Sequence, residues 1–486
     1  MEELSQRVLS FTPLIRQEIL DPSCRLTRSE REWKVRFEPV GARPSAWLNL
    51  ECLPMPPQRS GARDSLALEP FNQARLIQAF TRRFPTYRDF MEMSLYDEQI
   101  GYYSAGKVKF GDPQAFTTFP NSYSPGFGRI AVEQAFSMWE SMIAAGDMRK
   151  NEWFTILELG AGNGRLAKDM LDTAQQRSLQ NIEWATFFSR LQYRIVERSP
   201  ALQKVQQDLL APYGDRVKVL SGDAQSTHLL LPPQSIKGLI FTNELIDAFP
   251  VHSAQMQEDG TLGVQVMIPY LTQGADGINV ERLRKKSDLY KARFRPFLQQ
   301  EFDDRILISR RDLKKIIVAL DRNHEASGSF IHFGDVLIPD RYFPEVRDYR
   351  IRHQTSMARL EPGSWLTVNL GMKKFLCNMR AILEKGFLTT IDYKGKDGLP
   401  VFFPKGRTDR THVANCDITT AIDWRKYHRE AEPYFLPQVF VSQQALGSPI
   451  TPAEHFLKWW NWITTQSMMM DVEKTENTAA NYKVQK

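Results

Sequence analysis

Cysteine is scarce and scattered: Cys24, Cys52, Cys377 and Cys416 are the only four in 486 residues, and no Cys-x-x-Cys pair occurs among them. That spacing argues against a structural zinc site and against a disulfide framework, and leaves reduced thiols as the plain reading. Long apolar runs are missing too. The best of them, such as Gly238-Leu239-Ile240-Phe241, are strand-sized, whereas a bilayer span needs roughly 18–20 residues, so no membrane span is expected. Neither charge sign dominates. With 63 Lys and Arg against 57 Asp and Glu, the net charge of +6 carries no polyanion-binding signature at the level of the whole chain. The opening Met1-Glu2-Glu3-Leu4-Ser5-Gln6-Arg7 has neither the apolar core of a secretory signal nor the acid-poor, Arg- and Ser-rich bias of a transit peptide, so a cytoplasmic protein is expected. No internal repeat is found.

What is present is an ordinary globular composition, 42% hydrophobic and 25% charged. At roughly 100–200 residues per domain, the length predicts two or three structural units. Six prolines between Glu38 and Pro70 (Pro39, Pro44, Pro54, Pro56, Pro57 and Pro70) remove backbone donors and fix φ, predicting an irregular arm there that follows an N-terminal segment, the two together covering 1–70. A helix is expected to begin at Phe71, with Leu76, Ile77, Phe80 and Phe84 on one face, in a helical and loop region over 71–150.

From Thr155 the pattern changes. Thr155-Ile156-Leu157-Glu158-Leu159 reads as a buried strand, glycines follow, and Arg165 to Gln175 carries Leu166, Met170 and Leu171 at helical spacing. Further strands at Gln192–Glu197, Val217–Ser221 and Lys237–Thr242, separated by helix or turn, give the alternation of a parallel α/β sheet. Its first half is expected over 151–253, an inserted subdomain over 254–379, and its second half, resuming at Phe387–Asp392, over 380–470. Thr451-Pro452-Ala453-Glu454 reads as a capping box opening a helix. Residues 471–486, with few apolar groups, are expected to fray as a flexible tail.

Chemistry concentrates where strands end. Glycines at a strand-to-helix turn let the backbone bend sharply and approach a ligand with no Cβ in the way. In Glu158-Leu159-Gly160-Ala161-Gly162-Asn163-Gly164 the third glycine of a dinucleotide fingerprint would fall at Arg165, which weakens a nicotinamide reading. An acid two residues before Gly-x-Gly-x-Gly instead resembles the first motif of Rossmann-like S-adenosylmethionine-dependent methyltransferases. That resemblance would have Glu158 meet the ligand's ammonium group, over a turn made by Gly160, Gly162 and Gly164. At the next strand end, 33 residues past Gly164, Glu197 would accept from the two ribose hydroxyls. Asp223, after the third strand, would accept from the adenine amino group. The bland alternative for each acid alone is a solvated loop or cap residue.

The fourth strand runs into Asn243-Glu244-Leu245-Ile246-Asp247-Ala248-Phe249-Pro250-Val251-His252, which resembles the Asn-Glu-x-x-Asp-Ala-x-Pro-Val-His signature of the MidA family. Gly101-Tyr102-Tyr103, Gly111-Asp112, Phe116-x-Thr118-x-Pro120, Phe127-Gly128, Ile391-Asp392-Tyr393 and the Asp417–Trp424 stretch are similar to further elements of that family, in order. Two departures stand out. Pro113-Gln114-Ala115 splits the family's Asp-Phe pair, and Asn121 replaces its glutamate.

The resemblance implies an α/β, Rossmann-like methyltransferase fold with an N-terminal extension and a large insertion. It also implies S-adenosylmethionine as co-substrate without a metal, and methylation of an arginine in a protein, as in respiratory complex assembly. Gly111, Asp112, Thr118 and Pro120 would form a substrate or lid loop. A guanidinium has no free nitrogen lone pair and must lose a proton as it reacts, so carboxylates are needed to clamp it and take the proton. Glu244 is expected as the clamp and Asp247 as a supporting residue. Both would face one side if the turn after Asn243 is helical, unless Asp247 merely caps the next helix. Asn243 would serve the amino-acid end of the cofactor. His252 is expected as a hydrogen-bonded support.

Two alternatives stay open. An RNA substrate is kept alive by the basic stretch from Arg282 to Arg295, whose plainer reading is a solvated helix face. The other is a non-catalytic assembly chaperone that retains the cofactor fold. Oligomeric state is left open.

Overall fold

A computed structural model describes residues 65–108, 118–122, 124–271, 278–322, 330–394, 401–403, 414, 416–420, 422–435, 438–442 and 464–471, together with three short strands before residue 50. Gly111, Asp112, the capping box at Thr451–Glu454 and the tail beyond 471 lie outside these residues. The chain divides into two compact units, Met1–Arg75 and Leu76–Lys486. In the first, β1 (Cys24–Ser29), β2 (Glu32–Phe37) and β3 (Leu48–Asn49) form an antiparallel meander.

Helix α1 spans Ser65–Arg83, so it begins six residues before the expected Phe71 and runs through Pro70. A proline inside a helix costs about 3 kcal/mol. Phe80 within the helix and Phe84 just past its end are fully buried, which anchors its C-terminal half at roughly 1.5–3 kcal/mol for each side chain. Helix α2 (Tyr87–Tyr96) opens on a capping box between Thr86 and Asp89, and α3 covers Gly126–Ala144.

The predicted alternation then appears: β4 (Phe154–Leu159), α4 (Arg165–Ser178), α5 (Ile182–Arg190), β5 (Leu191–Glu197), α6 (Pro200–Leu210), β6 (Val217–Ser221) and β7 (Ile236–Asn243). Local signals fix these elements. Helix α6, for example, has Pro200 in its first turn and the Ser199 side chain accepting from the Leu202 N–H.

Between β7 and the core's later strands the chain builds a second, antiparallel sheet, through β8 (His252–Met256), β9 (Leu262–Leu271), α7 (Val280–Phe294), β10 (Ile306–Leu307), α8 (Arg310–Arg322), β11 (Ile331–Pro339), α9 (Pro344–Arg352) and β12 (Trp365–Val368). Its order is β10-β9-β8-β12, with β11 also on β9. The chain returns through α10 (Leu370–Ile382), β13 (Leu383–Lys394), β14 (Val401–Phe403), β15 (Asp417–Thr419), α11 (Trp424–Ala431), β16 (Gln438–Ser442) and β17 (Thr464–Asp471).

The main sheet has the order β16-β17-β13-β7-β4-β5-β6, with every neighbouring pair parallel. This is a doubly wound α/β sheet of the Rossmann-like class. One apolar layer gathers Phe136, Trp139, Phe154 and Phe187, and another gathers Ile240, Phe375, Leu388 and Tyr427. Chain direction across the sheet reverses between β4 and β7. In open α/β sheets the crevice beyond the carboxyl ends of the strands at such a reversal is where ligands bind.

Candidate active site

Strand β4 delivers Leu159 to that crevice, and the chain turns at once. Gly160, Gly162 and Gly164 hold φ of 69°, 55° and 78°, a region that side chains with a Cβ rarely enter. A Cβ on Gly160 would stand 2.7 Å from Leu245 Cδ1. Gly160 and Gly162 line the pocket; Gly164 sits behind them at the start of α4.

Two strand-end carboxyls flank the turn. Glu158 is buried and accepts from the Tyr193 hydroxyl at 2.7 Å. Burial pushes its pKa up to about 7. At the end of β5, Glu197 accepts from the Ser199 N–H at 2.8 Å and from Gln206 Nε2 at 3.2 Å, and burial again raises its pKa to about 7. Gln206 Nε2 also reaches the Gly162 carbonyl at 2.8 Å, so one side chain ties the glycine turn to Glu197.

Asp223 behaves otherwise. Its Oδ1 accepts from the Gln225 N–H at 2.7 Å and caps a short 3-10 turn, and Arg198 stands 3.6 Å from its Oδ2. It is not among the residues that line the pocket.

From the N-terminal region come Thr118 and Pro120, together with Asn121, Tyr96 and Tyr103. Asn121 donates to Thr118 Oγ1 at 2.8 Å and accepts from Asn163 Nδ2 at 2.9 Å. The residue that departs from the family pattern thus fastens this segment to the glycine turn. Tyr103 and Tyr96 stack at 5.9 Å, and Arg198 lies over the Tyr96 ring at 4.5 Å.

After β7 the expected helical turn is absent. Glu244 takes φ 49° and donates its N–H to the Ile391 carbonyl of β13 at 2.8 Å, while Asn243 Nδ2 donates to Glu244 Oε1 at 3.1 Å. Asn243, Glu244, Leu245 and Ala248 line the pocket. Asp247 neither shares a helical face with Glu244 nor caps a helix, since the next element is strand β8.

Instead Asp247 is buried. Its Oδ2 accepts from Thr419 Oγ1 at 2.6 Å, and its N–H, with that of Ile246, donates to Asp392 Oδ2 at 3.2 and 2.9 Å. Its carbonyl accepts from the Thr420 N–H and hydroxyl. Burial, then the nearby Asp392 carboxylate, holds the Asp247 carboxyl well above the usual range. Asp247 Oδ1 and Asn243 Oδ1 are buried without a hydrogen-bond partner. Of the two, Asn243 lines the crevice, and a buried orphan acceptor there fits a ligand that brings its own donor. Two carboxyls poised near neutrality fit one that carries a cationic group and hydroxyls.

Comparison with known proteins agrees with this geometry. A family model described as "Putative S-adenosyl-L-methionine-dependent methyltransferase" matches residues 131–426, more than half of the chain. The chain belongs to the MidA family of S-adenosylmethionine-dependent methyltransferases. A curated relative, "Protein arginine methyltransferase NDUFAF7 homolog, mitochondrial" of Drosophila melanogaster, is 29% identical over 176 residues, which span 35% of this chain and 38% of that protein. Two crystal structures from Burkholderia thailandensis are also similar: one native at 17% identity and TM-score 0.43, covering 79% of both chains, and one bound to S-adenosyl-homocysteine at 18% and 0.44, covering 79% of this chain and 80% of that one.

The MidA signature over Asn243–His252 divides in the fold. Its first residues face the pocket, and Asp247 faces Asp392 and Thr419. His252 lies in β8, buried, with neither ring nitrogen bonded and its pKa pushed down to about 3 by burial. The support expected of it is therefore not made by hydrogen bonds. Missed in the sequence were Tyr96, Arg198, Asn163 and the pairing of Tyr103 with Asp417, since no local pattern joins residues so far apart. Among the described residues, no group of three or more His, Cys, Asp or Glu is arranged to hold a metal ion, and no helix is long and apolar enough to cross a membrane.

The basic stretch lies on α7. Lys285 pairs with Glu281 at 3.1 Å and Lys286 with Asp312 at 2.8 Å.

Proposed function

We propose that this methyltransferase modifies an arginine side chain of a protein, with Glu244 as the carboxylate that clamps the guanidinium. S-adenosylmethionine supplies the methyl group from its sulfonium centre. Glu158 would hold its ammonium and Glu197 its ribose hydroxyls, over Gly160 and Gly162, with Asn243 at the amino-acid end; Asp223, which also caps a 3-10 turn, would accept from the adenine amino group.

The observation that carries the reading is the carboxylate wall. Glu244 lines the donor pocket together with Glu158 and Glu197, so three carboxyls face one crevice. A cation-accepting acceptor is what such a wall suits. Glu244 orients the planar fork, and the same carboxylate takes the proton that nitrogen must lose. The name of the Drosophila relative supports the same acceptor chemistry.

Glu244→Gln tests this. Incubated with S-adenosylmethionine carrying a labelled methyl group and a cell extract, the native chain should label protease-sensitive material. The variant should lose at least about 100-fold of that labelling while still binding S-adenosyl-homocysteine by calorimetry. Label that resists protease and yields to ribonuclease would overturn the protein reading in favour of RNA.

A further inference from the structure

A second depression adjoins the donor pocket. It encloses about 790 Å³ between α2, the turn that follows it and the first half of α8, and it shares Tyr96 and Arg198 with the donor pocket as a common wall. Its floor is apolar, from Met93 and Val318, and its rim is charged. Six cations line it: Arg82, Arg198, Arg310, Arg311, Lys314 and Lys315.

Three of these are already neutralised. Arg198 pairs with Glu92, Arg310 with Asp89 at 3.2 Å and Lys314 with Asp97 at 2.7 Å. Arg82, Arg311 and Lys315 are exposed and pair with no carboxylate among the described residues. Glu98, also exposed and without an ion pair among the described residues, offsets one of them, so the groove presents a net excess of two positive charges beside the place where methyl transfer would occur.

We infer that this groove binds a glutamate- or aspartate-bearing segment of the protein substrate that flanks the acceptor residue. The inference rests on the protein-methylation reading of the neighbouring pocket and adds how that substrate is chosen. Charge complementarity gives the sign of the partner. The groove also contains Glu92, Asp97 and Glu98, which oppose the closely spaced charges of a phosphate backbone but tolerate separated carboxylates interleaved with apolar side chains. Single-stranded nucleic acid also wants open aromatic faces for its bases. The one aromatic ring in the groove, Tyr96, is covered by Arg198 on one side and stacked on Tyr103.

The test uses the full chain and fluorescence anisotropy with three labelled probes: a peptide in which glutamates flank one arginine, the same peptide with glutamines for glutamates, and a single-stranded oligouridylate. The glutamate peptide should bind about tenfold more tightly than the glutamine peptide at low salt and lose that margin at high salt. The double variant Arg311→Glu, Lys315→Glu should remove the margin, and the milder Arg311→Gln, Lys315→Gln should reduce it. In both variants S-adenosyl-homocysteine should bind as in the native chain, which also shows that they fold. Equal binding of the two peptides, or a margin that survives both variants, would overturn the inference. So would tighter binding of the oligouridylate that the double variant abolishes. Failure of the native chain to bind S-adenosyl-homocysteine would instead strike the reading of the donor pocket, which separates the two.

Discussion

Tyr103 donates its hydroxyl to Asp417 at 2.8 Å, although 314 residues separate them. The bond joins the Gly-Tyr-Tyr turn to β15, and the same strand holds Asp247 through Thr419. Strand β15 therefore ties Tyr103, on the pocket wall, to Asp247 in the turn that carries Glu244. Burial raises the Asp417 carboxyl to about 6, and the Tyr103 hydroxyl opposes that rise. A carboxyl whose folded pKa lies above its unfolded value costs stability as pH climbs from about 4 through 6 and beyond, once it ionises in the fold. Tyr103→Phe takes away a donor that favours the ionised form, so it raises that cost only where Asp417 is ionised. We expect the variant to lose about 1–3 kcal/mol at pH 8 and much less at pH 5. Denaturant unfolding at the two pH values measures this, and equal losses at both would exclude the ionised Asp417 from the bond.

Glu158 and Glu197 give the donor site a pH dependence of its own. Both carboxyls are held near pH 7 by burial, and a ligand ammonium prefers the ionised form of Glu158. Below neutrality, binding has to remove a proton first. Affinity for S-adenosyl-homocysteine should therefore fall as pH drops below 7, by up to about tenfold per pH unit per carboxyl. It should level off above about pH 8. Calorimetry from pH 5.5 to 8.5 reads the slope directly. Glu158→Gln should weaken binding at pH 8 and flatten the dependence; an unchanged slope would remove Glu158 from ligand contact.

Local chemistry made much of the scaffold legible. Thr155–Leu159, the glycines after it and the Ser199-Pro200 helix start declare themselves within a few residues, because strand burial, turn geometry and capping are short-range effects. Asp247 was read only in part, because its role is fixed by Asp392 and Thr419, 145 and 172 residues away. Pro70 reads as a helix boundary, yet the helix runs through it from Ser65. Asp223 reads like Glu158 and Glu197 as a strand-end acid, and its second role, capping the turn that follows through the amide two residues on, shows only in the fold. Tyr96 and Arg198 carried no signal, since a shared wall between two depressions exists only in the folded chain.

Asn121 offers a direct check on how the segment that carries Thr118 and Pro120 is held. With Thr118 and Asn163 as its partners, it joins the segment over the pocket to the glycine turn. Asn121→Ala breaks both bonds, each worth about 0.5–1.5 kcal/mol. Affinity for S-adenosyl-homocysteine should weaken by about 3- to 30-fold, as the segment no longer closes against the turn, with little change in the unfolding midpoint of the ligand-free chain. Asn121→Asp keeps the acceptor for Asn163 and should lie between the two. An alanine variant that binds as the native chain does would show that the segment contributes nothing to ligand retention.

The centre of the sheet depends on two glycines facing each other. Gly386 of β13 and Gly238 of β7 are register partners, with φ of 135° and 141°. A Cβ on Gly386 would lie 1.8 Å from the Gly238 carbonyl oxygen, and one on Gly238 would lie 2.4 Å from the Thr155 carbonyl oxygen of β4. These neighbours are backbone atoms of adjacent strands, so no rotamer change relieves the overlap. Gly386→Ala should cost on the order of 3–5 kcal/mol through strained φ and displaced strands. Gly126, at the start of α3, has open space around its Cβ position and an ordinary φ. Its alanine variant should stay within about 0.5 kcal/mol of native. Urea unfolding of the pair measures the difference, and a Gly386→Ala chain as stable as the Gly126→Ala control would mean that β7 and β13 do not meet in this register.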